Sequence, residues 1–190
     1  MLSEKLKEET KQNHQILEKA LVGNLKAIRS KEEYVELLKL FYGYFGGLEE
    51  IIGQNIDPRL LPDNAERRKI AYIANDIEAL GGNVPAKAEG ADLPRVKSHL
   101  EALGALYVIE GSTLGGKIIS KMMQQQLGLA NNGLSFFSGY GEHTEQMWNT
   151  FKDILNAQAE NPEQEAAVIA AANQTFLKFG DWFAKQQQTA

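Results

Sequence analysis

Residues Gly111 to Lys117 read Gly-Ser-Thr-Leu-Gly-Gly-Lys and interrupt what otherwise reads as one long helix, from about Pro94 to Leu127. Each glycine in a helix interior costs about 1 kcal/mol relative to alanine, so this run is expensive for a helix. Such a run indicates one of two arrangements. Either another segment packs very closely against the helix, or the helix bends and a flat ligand lies against its bare backbone. The pattern alone leaves both alternatives open.

The rest of the chain predicts helices on both sides of this stretch. Apolar residues recur at helical spacing, and no strand-like alternation persists. Capping signals and helix breakers place further helices at about residues 3–27, 31–53, 63–80, 142–157 and 162–186. Residues 129–141 are too rich in Gly and Asn for a helix, and we expect Phe136 and Phe137 to turn from this loop into the core. With no repeat or linker, the sequence predicts one all-α domain over residues 1–190.

Composition narrows the classes of protein. The 190 residues are 43% hydrophobic and 24% charged, which is typical of a single globular domain with a sizeable core. The chain has no Cys, which excludes disulfides, thiolate metal sites and cysteine nucleophiles. The first residues lack the apolar centre of a signal peptide, and no apolar run approaches the length of a membrane span, so we expect a cytoplasmic protein with no membrane partner. The net charge of −5 argues against nucleic acid as a partner.

Among three histidines, His14 stands out. It lies at the edge of the apolar stripe of the first helix, with Glu18 one turn later and Lys7 two turns earlier on nearly the same side. A histidine beside an apolar stripe is often a satisfied core residue, and a ligand role is the alternative. His99 and His143 have weaker patterns.

The sequence lacks the residues that several common kinds of functional site require. No Glu-x-x-His pair supports a di-iron site, no glycine-rich nucleotide motif is present, and no base accompanies an activated serine. One combination survives. A histidine on one helix can bind the iron of a haem, a glycine-rich helix can lie across the opposite face, and lysines at the rim, such as Lys7 and Lys152, can pair with the propionates.

The chain resembles the haem oxygenase family over nearly its whole length. Three blocks support the resemblance: Leu6 to His14, Gly111 to Gly116, and Gly133 to Phe137 followed by a helix with Lys152. The resemblance implies a multi-helical fold that holds haem between a proximal helix and a glycine-kinked distal helix. It also implies that haem is both substrate and cofactor and is cleaved by oxygen to biliverdin, carbon monoxide and ferrous iron. The electrons for this reaction would come from a donor such as a ferredoxin or flavin reductase.

The resemblance assigns roles residue by residue. It implies His14 as the axial iron ligand, Glu18 as the group that orients it, and Lys7 and Lys152 as propionate partners. On the other haem face, the resemblance implies close contact with the backbone of Gly111, Gly115 and Gly116. It implies Phe137 and Phe176 as aromatic walls of the haem pocket.

One departure from the better-known members affects proton delivery. They have an Asp directly after the first distal glycine, where this chain has Ser112. The motif here resembles a bacterial branch associated with bacteriophytochromes, which implies a biliverdin-using phytochrome as a downstream partner. A serine hydroxyl can hold a water molecule, but it is not acidic as the Asp carboxyl group is. Proton delivery would therefore use Ser112, Thr113 and ordered waters. The alternatives are a haem-binding or haem-delivery protein without turnover, and a non-haem member of the same fold.

Overall fold

The computed structural model describes residues 1–189, and over that range the chain is helical with no β-strand. The elements are α1 (Leu2–Ala27), α2 (Lys31–Asn55), α3 (Ala71–Ala79), α4 (His99–Leu127), α5 (Thr144–Gln158) and α6 (Pro162–Gln188), with short 3-10 turns in the connections. The prediction of an all-α fold is confirmed. None of these helices within residues 1–189 is long and apolar enough to cross a membrane.

The starts of α2 and α6 follow directly from local sequence. Ser30 Oγ accepts a hydrogen bond from the Glu33 backbone N–H, and the Glu33 carboxylate accepts one from the backbone N–H of Ser30. At the start of α6, Asn161 Oδ1 accepts a hydrogen bond from the Gln164 backbone N–H, and Pro162 lies in the first turn, where its missing N–H costs nothing. These caps fix where each helix leaves its loop.

The helix with the glycine run begins later than predicted. We placed its start near Pro94, whereas α4 begins at His99. Ser98 is the N-cap, because its hydroxyl accepts a hydrogen bond from the Glu101 backbone N–H. From there α4 remains helical through the glycine run and ends at Gly128, whose positive φ of 64° suits a glycine C-cap.

The predicted third helix is shorter than expected. Residues 63–70 form a 3-10 turn and an extended stretch, and α3 covers only Ala71–Ala79. Arg67 lies at the extended end of the 3-10 turn, and both Arg67 and Arg68 are buried. A continuous surface helix could not turn both adjacent guanidinium groups inward, so tertiary contacts override the local helical pattern here.

α4 and α6 form the centre of the molecule. They approach so closely that a Cβ at Gly104 would collide with the carbonyl oxygen of Val168. α1 packs along α6, while α2 packs against α4 and also supports α3. Aromatic side chains of α2, α6 and the 129–141 loop fill the space between, and the buried members with the largest side chains include Tyr44, Phe45, Phe136, Phe137 and Phe179.

Two buried polar groups hold the 129–141 loop in place. The Asp76 carboxylate accepts hydrogen bonds from the backbone N–H groups of Ser135 and Phe136, and the Tyr34 hydroxyl donates to the Gly133 carbonyl at 2.7 Å. Phe136 and Phe137 are each only 2% exposed, so the prediction that they enter the core is confirmed.

Candidate functional site

A cavity of about 810 Å³ opens between α1 and α4. Its floor consists of aromatic residues from α2 and α6 and from the 129–141 loop, namely Phe41, Phe45, Phe137, Phe176 and Phe179. The volume lies within the range of cavities that hold small molecules, which is roughly 300–1,000 Å³. Apolar walls with a few polar groups at the edge suit a large, flat, mostly apolar ligand.

His14 and Phe176 form the α1 side of the cavity. The His14 imidazole is exposed at the cavity wall, and its ring centroid lies 5.5 Å from that of Phe176 at an interplanar angle of 56°. Glu18 also lines the cavity, but within residues 1–189 it makes no hydrogen bond to His14. The imidazole therefore faces open space with a ring nitrogen available to a ligand.

Both arrangements that a glycine run can indicate occur in α4, because two of its glycines line the cavity and the third packs against the 129–141 loop. A Cβ at Gly115 would meet nothing within 4 Å, and one at Gly111 would lie 3.6 Å from the Trp148 ring. Both glycines line the cavity. Gly116 faces the other way, because its Cβ would lie 2.5 Å from the Phe137 carbonyl oxygen. Gly116 does not line the cavity and packs against the 129–141 loop, so its predicted contact with the ligand stays a prediction.

Ser112 and Thr113 point to different sides of α4, as consecutive helical residues must. Ser112 lines the cavity. Thr113 is 1% exposed, and its hydroxyl donates to the Glu110 carbonyl at 2.6 Å, beside Gly139 of the loop. Thr113 does not line the cavity, and its predicted part in proton delivery stays a prediction.

Arg68 lies directly behind Ser112. Its guanidinium donates from Nη2 to Ser112 Oγ at 2.7 Å and to the Ile109 carbonyl at 2.9 Å, and from Nη1 to the Phe136 carbonyl at 3.1 Å. The same group stacks 3.7 Å from the centroid of the Phe136 ring. Burial lowers the pKa of Arg68 to about 10, so the side chain remains positively charged at neutral pH.

A second buried group joins α4 to the segment before α3. The Glu110 carboxylate, 1% exposed, accepts hydrogen bonds from Arg67 Nη1 at 2.8 Å and from the Tyr140 hydroxyl at 2.9 Å. The Tyr140 hydroxyl in turn accepts from the backbone N–H of Arg68 at 2.8 Å. Burial, followed by the nearby Glu110 charge, raises the pKa of Tyr140. Our sequence reasoning missed this network. Its signal was a charged Glu110 directly after a long apolar run, since a buried carboxylate requires a partner.

Basic side chains lie at the cavity rim. Lys7 and Lys11 project from α1, and Lys152 projects from α5 with its Nζ 5.9 Å from the Trp148 ring centroid. The other two histidines are elsewhere. His99 Nδ1 accepts a hydrogen bond from the Asp57 backbone N–H, and His143 precedes α5 without lining the cavity. His14 is thus the histidine that faces the cavity.

Comparison with known proteins gives a consistent result. Residues 1–185 match the family model described as Heme oxygenase. The chain is 30% identical over 182 residues to Heme oxygenase PigA of Pseudomonas aeruginosa, covering 94% of this chain and 89% of that protein. It is 28% identical over 149 residues to Heme oxygenase of Xanthomonas campestris, covering 78% of this chain and 87% of that protein.

Solved structures agree on the fold. The heme oxygenase of Neisseria meningitidis superposes with a TM-score of 0.83 at 23% identity, covering 100% of this chain and 94% of that one. Heme oxygenase-1 of the cyanobacterium Synechocystis, solved in complex with heme, superposes with a TM-score of 0.72 at 19% identity, covering 99% of this chain and 93% of that one.

Proposed function

The chain belongs to the haem oxygenase family, and we propose that it cleaves haem to biliverdin, carbon monoxide and ferrous iron, using oxygen and external electrons. One observation carries the proposal. The cavity places the His14 imidazole on one wall and the bare backbone of Gly111 and Gly115 on another, with aromatic rings beneath. A flat macrocycle that needs one axial ligand and close backbone approach fits this arrangement.

The residues of the cavity suit haem at each of its chemical groups. His14 is the proposed axial ligand of the iron, and Phe176 restrains the imidazole from the side. Lys7 and Lys152 are the proposed partners of the propionates, because a cation at an apolar rim pairs readily with a carboxylate. The open space at Gly115 is where a side chain would otherwise compete with the ring. Glu18, one helical turn after His14 and also at the cavity, is the proposed group that orients the imidazole.

When bound, haem supplies both the iron that activates oxygen and the ring that is cut. The chain itself contributes the residues that hold and orient haem. Gly111 and Gly115 present no side chain to the cavity, so haem would be able to approach the α4 backbone there. Ser112 is the residue of the glycine run that brings a hydroxyl group to the cavity lining, and this hydroxyl could hold the water through which protons arrive.

The finer assignments belong to the same proposal. Electrons come from a ferredoxin or a flavin reductase, and the product serves a biliverdin-using phytochrome in the cytoplasm. The phytochrome assignment is supported by the resemblance of the Gly111 to Gly116 motif to the branch associated with bacteriophytochromes.

A turnover assay tests the proposal. The protein is loaded with hemin and supplied in air with a ferredoxin and its reductase, while an identical sample is kept free of oxygen as the control. We expect the Soret band to decay only in air and biliverdin to be recovered by chromatography. A Soret band that forms and persists would instead favour haem binding or delivery without turnover, the alternative that Ser112 in place of an acid suggests.

A further inference from the structure

Arg68 is the buried cation that the proposed function leaves unused. Its side chain is almost fully buried at 6% exposure, and no carboxylate within residues 1–189 lies at ion-pair distance from it. Its Nε is buried without a hydrogen-bond partner. By contrast, the neighbouring Arg67 pairs with both Asp63 and Glu110. A buried guanidinium held only by neutral acceptors costs stability, which calls for a functional reason.

The hydrogen bonds of Arg68 converge on one hydroxyl. Ser112 Oγ donates its single proton to the Ile109 carbonyl at 2.6 Å, while Arg68 Nη2 donates to both Ser112 Oγ and that same carbonyl. Both acceptors lie within hydrogen-bond distance of this one nitrogen, which has two protons. The Ile109 carbonyl therefore keeps a hydrogen bond when the Ser112 proton turns away from it.

This arrangement allows the Ser112 proton to turn outward. Within α4 the Ile109 carbonyl also accepts the helical hydrogen bond from the Thr113 backbone N–H, so it stays paired when the hydroxyl turns. Because Arg68 already donates to Ser112 Oγ, we propose that Arg68 is a positioning residue that leaves the Ser112 hydroxyl proton to donate a hydrogen bond to whatever is bound above the haem. The inference rests on the proposed haem site and specifies how Ser112 acts in a position where the better-known relatives have an acid.

Fluoride binding to the ferric haem complex measures this directly, because fluoride accepts hydrogen bonds and donates none. We expect Ser112→Ala and Arg68→Met each to weaken fluoride binding by about 3- to 10-fold, the factor that one hydrogen bond provides. Ser112→Thr retains the hydroxyl and should bind fluoride like the parent. Lys69→Met removes one charge from the next residue, whose Nζ donates to Asn64, and serves as the matched control for charge.

The double variant Ser112→Ala with Arg68→Met separates positioning from charge. If Arg68 acts through Ser112, the double variant binds fluoride no more weakly than Ser112→Ala alone. A further loss equal to that of Arg68→Met by itself would show a through-space charge effect and overturn the inference.

The remaining outcomes are also decisive. Should Arg68→Met fail to fold, an unchanged fluoride affinity in Ser112→Ala would overturn the inference, and a loss restored by Ser112→Thr would support the donor role. Parent protein that degrades haem while Ser112→Ala binds fluoride normally would overturn this inference alone. Failure of the parent protein to bind hemin would overturn both this inference and the proposed function.

Discussion

Lys152 and Trp148 form the α5 side of the cavity rim, where a ligand carboxylate would meet its cation. Lys152→Gln should weaken hemin binding by about 2- to 10-fold, because a partly exposed ion pair contributes on the order of 1 kcal/mol. The loss should shrink at high salt, which screens such a pair. Titration of apoprotein with hemin at two salt concentrations measures both effects. Lys178→Gln, which removes a lysine that bonds to the Ala91 carbonyl away from the cavity, is the control. Equal losses in the two variants would contradict a role for Lys152 in ligand binding.

Single residues differ in how well the sequence predicted them. His14, Ser112 and Lys152 were predicted from motif blocks, and the fold brings them to one cavity. Gly116 and Thr113 belong to the same motif block as Ser112. Because successive residues of a helix point in different directions, these two face the 129–141 loop and not the cavity. Arg68 could not be predicted from its own surroundings, since its role depends on Ser112, which lies 44 residues further along the chain.

Within α4, neighbouring glycines have opposite structural roles. Gly115→Ala should leave the free energy of unfolding of the apoprotein unchanged or raise it by up to about 1 kcal/mol, because the added methyl group meets open space and alanine favours helix. Gly116→Ala should lower it by about 1–3 kcal/mol, because the methyl group would press on the Phe137 carbonyl. Urea denaturation of the two apoproteins makes the comparison. Equal effects of the two substitutions would mean that the glycine run does not divide between cavity and packing.

The ends of elements were predicted where local chemistry decides them. The capping box at Ser30 predicted the start of α2 correctly. For α4 we took Pro94 as the start signal, but Ser98 is the N-cap, so the helix begins later than predicted. The shortened α3 has a different cause. Arg67 and Arg68 turn inward to partners on α4, and no local pattern contains that information. Local sequence thus fixes caps, while distant buried partners decide where a helix is broken.

Across the whole molecule, buried tyrosines link stability to alkaline pH. Burial raises the pKa values of Tyr34 and Tyr44 above their usual range, and both hydroxyls donate to backbone carbonyls. Their contribution to stability is complete below the unfolded pKa of about 10 and is lost as the pH rises beyond it, by up to about 1.4 kcal/mol per pH unit for each. We therefore expect the free energy of unfolding to fall steeply above about pH 10.

Urea denaturation from neutral to alkaline pH tests this expectation. Tyr34→Phe should be less stable than the parent protein at neutral pH, because the Gly133 carbonyl loses its donor, yet its stability should fall less steeply at alkaline pH. Tyr72→Phe, which changes a tyrosine that is 48% exposed, should retain the parental slope. An unchanged slope in Tyr34→Phe would contradict the assignment of alkaline sensitivity to the buried tyrosines.

The axial role of His14 is the central claim, and a rescue experiment tests it most directly. Hemin is added to the parent protein and to His14→Ala, and ferric spectra are recorded before and after addition of free imidazole. We expect His14→Ala to lose the parental Soret spectrum while keeping its helical content, and imidazole to restore it by entering the space that the side chain leaves at the cavity wall. A parental Soret spectrum in His14→Ala without imidazole would contradict His14 as the iron ligand.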